Sequence, residues 1–346
     1  MHSLTRILGV PLATAALLVT AACGGTATND PQAGDKLDIV VAFYPLHFTA
    51  ERVAGETAEI TNLTQPGADA HGLELTPRQT AKIQGADLVI YQSGFQPAVD
   101  DAIAQMELAN VLDVTTVATM HDVDAAGEHV HTHSTEPAAE DEHGAEDGHD
   151  TDDHGTDDHG ADDHGTDDGH DHGTTDPHLW LDLDNMAKIA DATAEKLGEV
   201  RPDDQDTFSA NAEALKADYT TLDESFTTGL ANCERREIVV SHAAFGYLTE
   251  RYDLVQVPIR GLEPDLEPSP ARVAEVQQLA REHGVTTIFY ETLVSPAVAE
   301  AVAGDLGLKT DVLDPLEGLT AESKGSNYLE VMNSNLTALK AANACN

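Results

Sequence analysis

Four side chains stand where apolar runs or tight turns of the sequence end, and three of them are imidazoles. His71 closes a glycine-containing turn that follows an apolar run ending at Leu63, and His178 closes a turn that contains a proline. His242 and Asp314 directly follow two further apolar runs. Three neutral imidazoles and one carboxylate form a four-coordinate set suited to Zn²⁺, and such a closed set leaves no position for a reacting water. We therefore predict that His71, His178, His242 and Asp314 bind one metal ion.

The carboxylate position has alternatives. Asp311, Glu291 or a water molecule could occupy the coordination position that we give to Asp314. The remaining histidines outside the acidic tract described below follow no such run or turn. We interpret His47, His121 and His283 as surface or packing residues and assign them no role.

The elements that must position these residues alternate between apolar runs and helical patterns. Continuous apolar runs are typical of buried parallel strands. In the first half, helical patterns at 45–55 and 76–84 lie between apolar runs at 37–43, 58–63 and 86–91. In the second half, apolar runs at 237–241, 254–257, 286–290 and 309–313 alternate with helical patterns at 242–251, 269–283 and 296–306. A last helix is predicted at 327–341. This alternation predicts an α/β fold with parallel sheets and crossover helices. Because ligands bind at the carboxyl ends of strands in such sheets, the four candidates should meet in one cleft.

A long helical pattern divides the chain. Pro202 suits the first turn of a helix, the two aspartates after it favour the positive end of the helix, and nothing breaks the pattern before Gly229. About 25 residues at 1.5 Å each span about 38 Å, which is more than one lobe requires. We predict two lobes, at 36–201 and 230–346, each with a mainly parallel sheet flanked by helices, joined by one long rigid helix at 202–229 with the metal site in the cleft.

An acidic tract at residues 128–176 holds eighteen carboxylates and ten histidines but no lysine or arginine. It has too few apolar groups to offset the entropy of ordering. A solvated acidic linker is the alternative, but imidazoles at this density favour many weak, interchangeable sites for Zn, Cu or Ni. Calcium is a further alternative, although the glycine-aspartate repeat of calcium β-rolls is absent. We predict a disordered insertion at 128–175 that offers auxiliary metal ligands: His129, His131, His133, His143, His149, His154, His159, His164, His170 and His172.

The N-terminus has the pattern of an export signal. Arg6 precedes an apolar stretch at 7–22 that ends in small residues, and this stretch is short for a membrane span. Cys23 follows directly and resembles the cysteine of a bacterial lipobox, which becomes lipidated. We predict a signal peptide at 1–22 and a lipid-anchored tether at 23–35; cleavage by an ordinary signal peptidase, with an incidental cysteine, is the alternative. The protein is then exported, either anchored to the outer face of the cytoplasmic membrane or periplasmic.

Charge and cysteine content agree with this placement. The formal net charge of −44 argues against binding to nucleic acid or anionic substrates and favours the accumulation of cations. Besides Cys23 the chain has only Cys233 and Cys345. In an exported protein such a pair predicts a disulfide rather than a metal site.

Several motifs together resemble a known family. They are VVAFYPL at 40–46, QPGADAHGLELTP at 65–77, DPHLWLD at 176–182, SHAAFGY at 241–247 and LDPL at 313–316. These segments are similar to the zinc-type branch of the metal-binding solute-receptor lipoproteins that serve bacterial ABC importers. The resemblance runs from about residue 38 to the C-terminus.

The resemblance implies an architecture, partners and ligands. The family has two lobes joined by one long helix, holds the ion in the cleft, and docks on a membrane permease driven by a cytoplasmic ATPase; we expect a monomer. Its histidine ligands fall on His71, His178 and His242, and its acidic ligand falls on Asp314. A manganese-type relative would usually have a carboxylate at position 242, so the resemblance favours zinc. The chain departs from the family at Ala70, where a proline is common.

These observations favour a receptor that captures Zn²⁺ outside the membrane and delivers it to an ABC permease. The alternative is an exported zinc buffer or metallochaperone without a transporter partner, which would share every ligand. A zinc hydrolase is not indicated, because the sequence has no HExxH helix and no general base beside an open coordination position. We therefore expect a binding protein and not an enzyme.

Overall fold

Two parallel sheets organise the chain. The computed structural model describes residues 36–123 and 175–346, which belong to one compact unit. In these ranges the first sheet contains β1 (Leu37–Val41), β2 (Ala58–Asn62), β3 (Leu88–Tyr91) and β4 (Val111–Asp113), in the order β2-β1-β3-β4. The second contains β5 (Glu237–Val240), β6 (Val255–Pro258), β7 (Thr287–Tyr290) and β8 (Lys309–Val312), in the order β6-β5-β7-β8. All of these strand pairs are parallel, as predicted.

Helices connect the strands and cover both sheets. They are α1 (Tyr44–Ala54), α2 (Pro77–Gly85), α3 (Pro97–Ala104), α4 (Leu183–Val200), α5 (Gln205–Leu230), α6 (Gly246–Arg251), α7 (Pro270–Glu282), α8 (Ala297–Leu306) and α9 (Tyr328–Asn343). Because successive side chains of a strand point to opposite faces, β5 contributes to two cores. Ile238 and Val240 join a core shared with α5 and α9, whereas Val239 packs with Val276 of α7 and Val302 of α8.

The long connecting helix is α5, which contains 26 residues. At 1.5 Å per residue it spans about 39 Å. Its buried side chains include Phe208, Leu215, Tyr219 and Phe226, whose spacing forms one apolar stripe. The stripe packs against α1, α4 and α9, so that α5 contacts helices from both halves of the chain. The predicted start differs slightly, because Pro202–Asp204 forms a 3₁₀ turn before α5 begins.

Arg251 ties the two halves together on the surface of α5. Its guanidinium lies 2.7 Å from a carboxylate oxygen of Asp184 in α4 and 2.7 Å from one of Asp223 in α5. Arg251 itself belongs to α6 of the second half. One planar cation therefore links a helix of each half to the connecting helix.

Some elements were not expected from the sequence. The three-residue strand β4 and the helices α3 and α4 were not predicted, and the helix predicted at 242–251 begins only at Gly246. The backbone N–H of Ala243 donates to the carbonyl of Gly261, and that of Ala244 donates to His242. Because these bonds replace the first turn of a helix, His242 lies in a loop.

Several sequence predictions concern residues outside the described ranges. These are the signal peptide at 1–22, the tether at 23–35 with Cys23, and the ten tract histidines between 129 and 172. Within residues 36–123 and 175–346, none of the helices combines the length and the apolarity that a bilayer crossing requires.

Cys233 and Cys345 form a disulfide across a sequence separation of 112 residues. Cys233 follows α5, and Cys345 follows α9. The bond therefore joins the end of the connecting helix to the end of the chain. Nearby, the backbone N–H of Glu234 donates to the carbonyl of Asn343, which adds a second link between the same two segments.

We expect the variant with Cys233→Ser and Cys345→Ser to unfold more easily than the oxidised protein. Opening a loop of this length removes a constraint on the unfolded chain and lowers the free energy of unfolding by about 2 to 4 kcal/mol. Chemical denaturation measures the difference. Reduced wild-type protein should match the variant, and equal midpoints for the variant and the oxidised protein would refute this role of the disulfide.

Candidate metal centre

Four side-chain atoms converge between the two sheets. The Nε2 atoms of His71, His178 and His242 lie 3.3, 3.5 and 3.4 Å from Oε1 of Glu317. The Nε2 atoms of His178 and His242 are 3.4 Å apart, and the ligand atoms of all four residues lie within 4.8 Å of one another. A tetrahedral zinc ion with bonds of about 2.0 to 2.1 Å has ligand atoms separated by about 3.3 to 3.4 Å. These four of the six separations lie within about 0.2 Å of that value, and the other two, from His71 to His178 and to His242, are at most 4.8 Å.

The two halves of the chain contribute equally to this cluster. His71 lies between β2 and α2, and His178 lies just before α4. His242 follows β5, and Glu317 follows β8 in the second half. His71, His242 and Glu317 therefore follow the carboxyl ends of parallel strands, where α/β sheets commonly bind ligands, and His178 joins them from the segment before α4. An ion bound by all four side chains contacts both halves at once.

His178 is fixed by the carboxylate of Asp176. Oδ1 of Asp176 lies 2.7 Å from Nδ1 of the ring and also accepts the backbone N–H of His178 at 2.9 Å. Both side chains are fully buried. A proton on Nδ1 that donates to Asp176 leaves the lone pair of Nε2 directed at the cluster, which is the tautomer that a metal ligand needs.

His242 is fixed in the same way by Glu291. Oε1 of Glu291 lies 2.8 Å from Nδ1 of His242 and accepts the hydroxyl of Ser241 at 2.6 Å. Glu291, one of the alternatives for the fourth position, therefore lies behind a histidine and outside the cluster. Asp311, the other alternative, lies 2.6 Å from the ammonium group of Lys324.

Two glutamines that follow β3 hold the backbone before two of the histidines. Nε2 of Gln96 donates to the carbonyl of Ala70 at 2.8 Å, and Nε2 of Gln92 donates to the carbonyl of Pro177 at 2.6 Å. Both glutamines are buried. These two bonds hold the turns that end at His71 and His178.

Asp314 is not part of the cluster. Its Oδ1 accepts the backbone N–H of Leu316 at 2.9 Å, and its Oδ2 accepts the hydroxyls of Ser323 at 2.9 Å and Thr292 at 3.3 Å. Leu316 has φ of 62°, in the left-handed region that non-glycine residues rarely adopt. Asp314 therefore stabilises a strained turn, and this turn directs Glu317 at the histidines.

Glu317 was missed in the sequence. It stands three residues beyond Asp314, directly after the Pro315-Leu316 step. The available signal was a second carboxylate close behind the same strand. Choosing between the two carboxylates requires the direction of the chain after the turn, and a left-handed leucine is not expected from local sequence preferences.

The charges of the cluster depend on one another. Burial raises the pKa of Glu317, but hydrogen bonds from the three histidines outweigh this effect and bring its pKa well below the ordinary value. Burial lowers the pKa of His178, but the nearby Asp176 outweighs it and the pKa is raised. For His242 the carboxylates of Glu291 and Glu317 outweigh burial and raise the pKa to about 10. Three buried carboxylates thus create a site that favours cations.

The histidines without a predicted role lie outside the cluster. His121 contacts Glu250 and packs against the ring of Tyr247, and Nδ1 of His283 lies 2.8 Å from Glu237. His47 belongs to α1.

Comparisons with known proteins find relatives named for zinc binding and zinc uptake. The zinc-binding lipoprotein AdcA of Streptococcus pneumoniae is 35% identical over 333 residues, which are 95% of this chain and 59% of AdcA. The high-affinity zinc uptake system protein ZnuA of Bacillus subtilis is 32% identical over 340 residues, 96% of each chain. The chain thus spans little more than half of AdcA but almost all of the Bacillus protein.

Solved structures show the same fold. The crystal structure of Zn(II)-bound AdcA from Streptococcus pneumoniae is 30% identical and superposes with a TM-score of 0.67, covering 89% of this chain and 58% of that chain. The laminin-binding protein Lmb of Streptococcus agalactiae, described as an adhesin with metal transporting activity, is 26% identical with a TM-score of 0.69, covering 88% of this chain and 99% of that chain.

Most of the chain matches one protein family. Residues 39–342 match the family ZnuA, the periplasmic component A of a zinc-uptake complex. This match includes all four residues of the cluster and every strand of both sheets except the first two residues of β1. The chain therefore belongs to the ZnuA family.

Proposed function

We propose that this protein is an extracytoplasmic receptor that captures Zn²⁺ as its transported substrate and delivers it to the permease of an ABC importer. The observation that carries this proposal is the convergence of three histidine Nε2 atoms on one oxygen of Glu317 at the spacing of a tetrahedral zinc site. In this assignment the ligands are His71, His178, His242 and Glu317, with Asp314 supporting the turn before Glu317.

The ligand set favours zinc over hard cations. Three imidazole nitrogens suit zinc, whereas calcium, magnesium and manganese prefer oxygen ligands in larger coordination shells. The protein supplies all four positions of a tetrahedral site, so none is left for a catalytic water. This supports a binding protein over a zinc enzyme.

The proposed partners follow from the family. Relatives named as a zinc-binding lipoprotein and as part of a zinc uptake system support an importer with a membrane permease and a cytoplasmic ATPase. The predicted lipidation of Cys23 would hold the receptor at the outer face of the cytoplasmic membrane, where it would act as a monomer.

We also propose that the acidic tract collects zinc for the cleft. Described residues on either side of the tract lie close to the cluster, because Asp122 pairs with Thr175 and the next residue, Asp176, contacts His178. Tethering raises the local concentration of weakly bound ions, which aids capture only if the tract binds zinc less tightly than the cleft.

An exported zinc buffer or metallochaperone is the rival function. Uptake of radioactive zinc at limiting concentration separates the two, because loss of a receptor abolishes high-affinity uptake and loss of a buffer leaves the transporter working. Uptake that persists in cells without this chain would favour the buffer.

We expect the single changes His71→Ala, His178→Ala, His242→Ala and Glu317→Gln to weaken the tightest zinc binding by at least about 100-fold. Loss of a residue that only hydrogen-bonds to a metal ligand commonly weakens metal binding by about 10-fold to 100-fold. Loss of a ligand itself should weaken binding more. Competition titration against a chelator gives the affinities.

Asp314→Asn is the matched control for the fourth ligand. With Co²⁺ as a spectroscopic substitute, this variant should keep the tetrahedral absorption bands, because Asp314 is no ligand in this assignment and an asparagine oxygen can still accept the N–H of Leu316. Glu317→Gln should change the bands. The reverse pattern would identify Asp314 as the ligand.

We expect zinc affinity to fall as the pH falls from 8 to 5. The nearby carboxylates raise the pKa values of His178 and His242, which strengthens proton binding to the metal-free rings, so that zinc competes with protons for them. Each displaced proton changes the affinity by up to about tenfold per pH unit. Titration across this range, with protons released per zinc measured in buffers of different ionisation enthalpy, tests the expectation; affinity independent of pH would contradict it.

We expect deletion of residues 128–174 to lower the number of zinc ions bound per chain and the uptake rate at limiting zinc, while the tight site remains. A variant with all ten tract histidines replaced by asparagine is the matched control, because it keeps the carboxylates. If the deletion changes neither quantity, the tract does not collect zinc; if the asparagine variant behaves as wild type, the carboxylates and not the histidines do so.

A further inference from the structure

The three histidines of the cluster differ in what faces their second ring nitrogen. Nδ1 of His178 lies 2.7 Å from Asp176, and Nδ1 of His242 lies 2.8 Å from Glu291, both with buried carboxylates. Nδ1 of His71 faces the carboxylate of Glu263 at 3.9 Å, and the side chain of Glu263 is 61% exposed. Two of the three carboxylate–histidine pairs are closed, and the third is about 1 Å from closing.

His71 is also the most accessible ligand. Its side chain is 7% exposed, whereas those of His178 and His242 are fully buried. The ring packs against Phe95 in a T-shaped arrangement, with ring centroids 4.8 Å apart. The neighbouring carboxylate of Asp69 accepts the backbone N–H of His71 at 2.7 Å. Glu263 is therefore the carboxylate placed to accept from the ring.

Glu263 belongs to the opposite half of the molecule. It lies in the connection between β6 and α7, whereas His71 follows β2 of the first sheet. The start of this connection is anchored, because the N–H of Arg260 donates to the carbonyl of Ser241 and the carbonyl of Gly261 accepts from Ala243. Arg260 and Gly261 are thus hydrogen-bonded to Ser241 and Ala243, the two neighbours of His242. Glu263 follows Gly261 by two residues. Its side chain can reach His71 without displacement of the strands.

We propose that Glu263 is a positioning residue for His71 and controls the release of zinc. With zinc in the cluster, Nδ1–H of His71 donates to Glu263, which fixes the tautomer and makes Nε2 a stronger donor to the ion. The pair joins the two halves at the exposed side of the site. The His71–Glu263 pair is the most accessible of the three carboxylate–histidine pairs. The hydrogen bond between its members therefore breaks before His71 leaves the ion. This inference rests on the proposed zinc-binding function.

The test uses the full chain loaded with one equivalent of zinc, and stopped-flow measurement of zinc transfer to excess chelator. We expect Glu263→Ala to release zinc about 10-fold faster than wild type, in line with the loss of other outer partners of metal ligands. Glu263→Gln keeps an acceptor oxygen without the charge and should give an intermediate rate. Glu267→Gln removes one charge from an exposed position of the same connection and should release zinc at the wild-type rate.

Two further measurements separate positioning from other roles. The Co²⁺ absorption bands of Glu263→Ala should match those of wild type, since Glu263 does not bind the ion. The melting temperature of the metal-free protein should also be unchanged, since the side chain is largely exposed.

Each contrary result has one meaning. Equal release rates for Glu263→Ala and Glu267→Gln would overturn the inference, and altered Co²⁺ bands in Glu263→Ala would overturn it by making Glu263 a ligand. Failure of wild-type protein to hold zinc would instead overturn the proposed function. Wild-type binding with unchanged release from Glu263→Ala would leave that function intact and remove only the inference.

Discussion

The rest of the structure depends on one interaction, the contact of three imidazoles with the buried carboxylate of Glu317. A charged group away from water is strongly unfavourable unless partners satisfy it. Glu317 is 2% exposed, and the rings of His71, His178 and His242 face its Oε1. Rings buried in this way need partners on their other nitrogens. The carboxylates behind the histidines therefore follow from the burial of the cluster as much as from the need to bind an ion.

This network can exist only where two sheets face each other. Each half supplies two members, and three of the four come from segments that follow the carboxyl ends of strands. Contacts beside the cluster hold the halves in register: Nε1 of Trp180 donates to the carbonyl of Pro315 at 2.7 Å, and the hydroxyl of Tyr328 donates to the carbonyl of Trp180 at 2.6 Å. The long helix α5 and the disulfide after it stabilise the frame on which these contacts form. Ion binding is consequently coupled to the arrangement of the two halves.

The turn at Leu316 shows how local strain serves the cluster. A non-glycine residue with positive φ costs about 1 to 3 kcal/mol and persists only when its surroundings hold it. Here the Asp314 carboxylate binds the N–H of Leu316, and the side chain of Asn335 brackets Asp314 by bonding both its N–H and its carbonyl. Asp314, which the sequence predicted as a ligand, thus orients Glu317, which faces the histidines.

The sequence by itself determined the alternation of strands and helices, the long connecting helix, the three histidines and the cysteine pair. These features rest on local patterns, namely apolar runs, helical spacing and residue chemistry at the ends of elements. The strand β4 was missed because three residues give little pattern. The helix α4 was missed although Asp182 caps it and its buried residues, among them Met186, Ile189 and Leu197, have helical spacing. Tertiary structure alone decided that Glu317 and not Asp314 faces the histidines, and that Asp176, Glu291 and Glu263 stand behind them. Such choices depend on the direction of a side chain after a strained turn and on contacts between distant segments, which local sequence patterns do not specify.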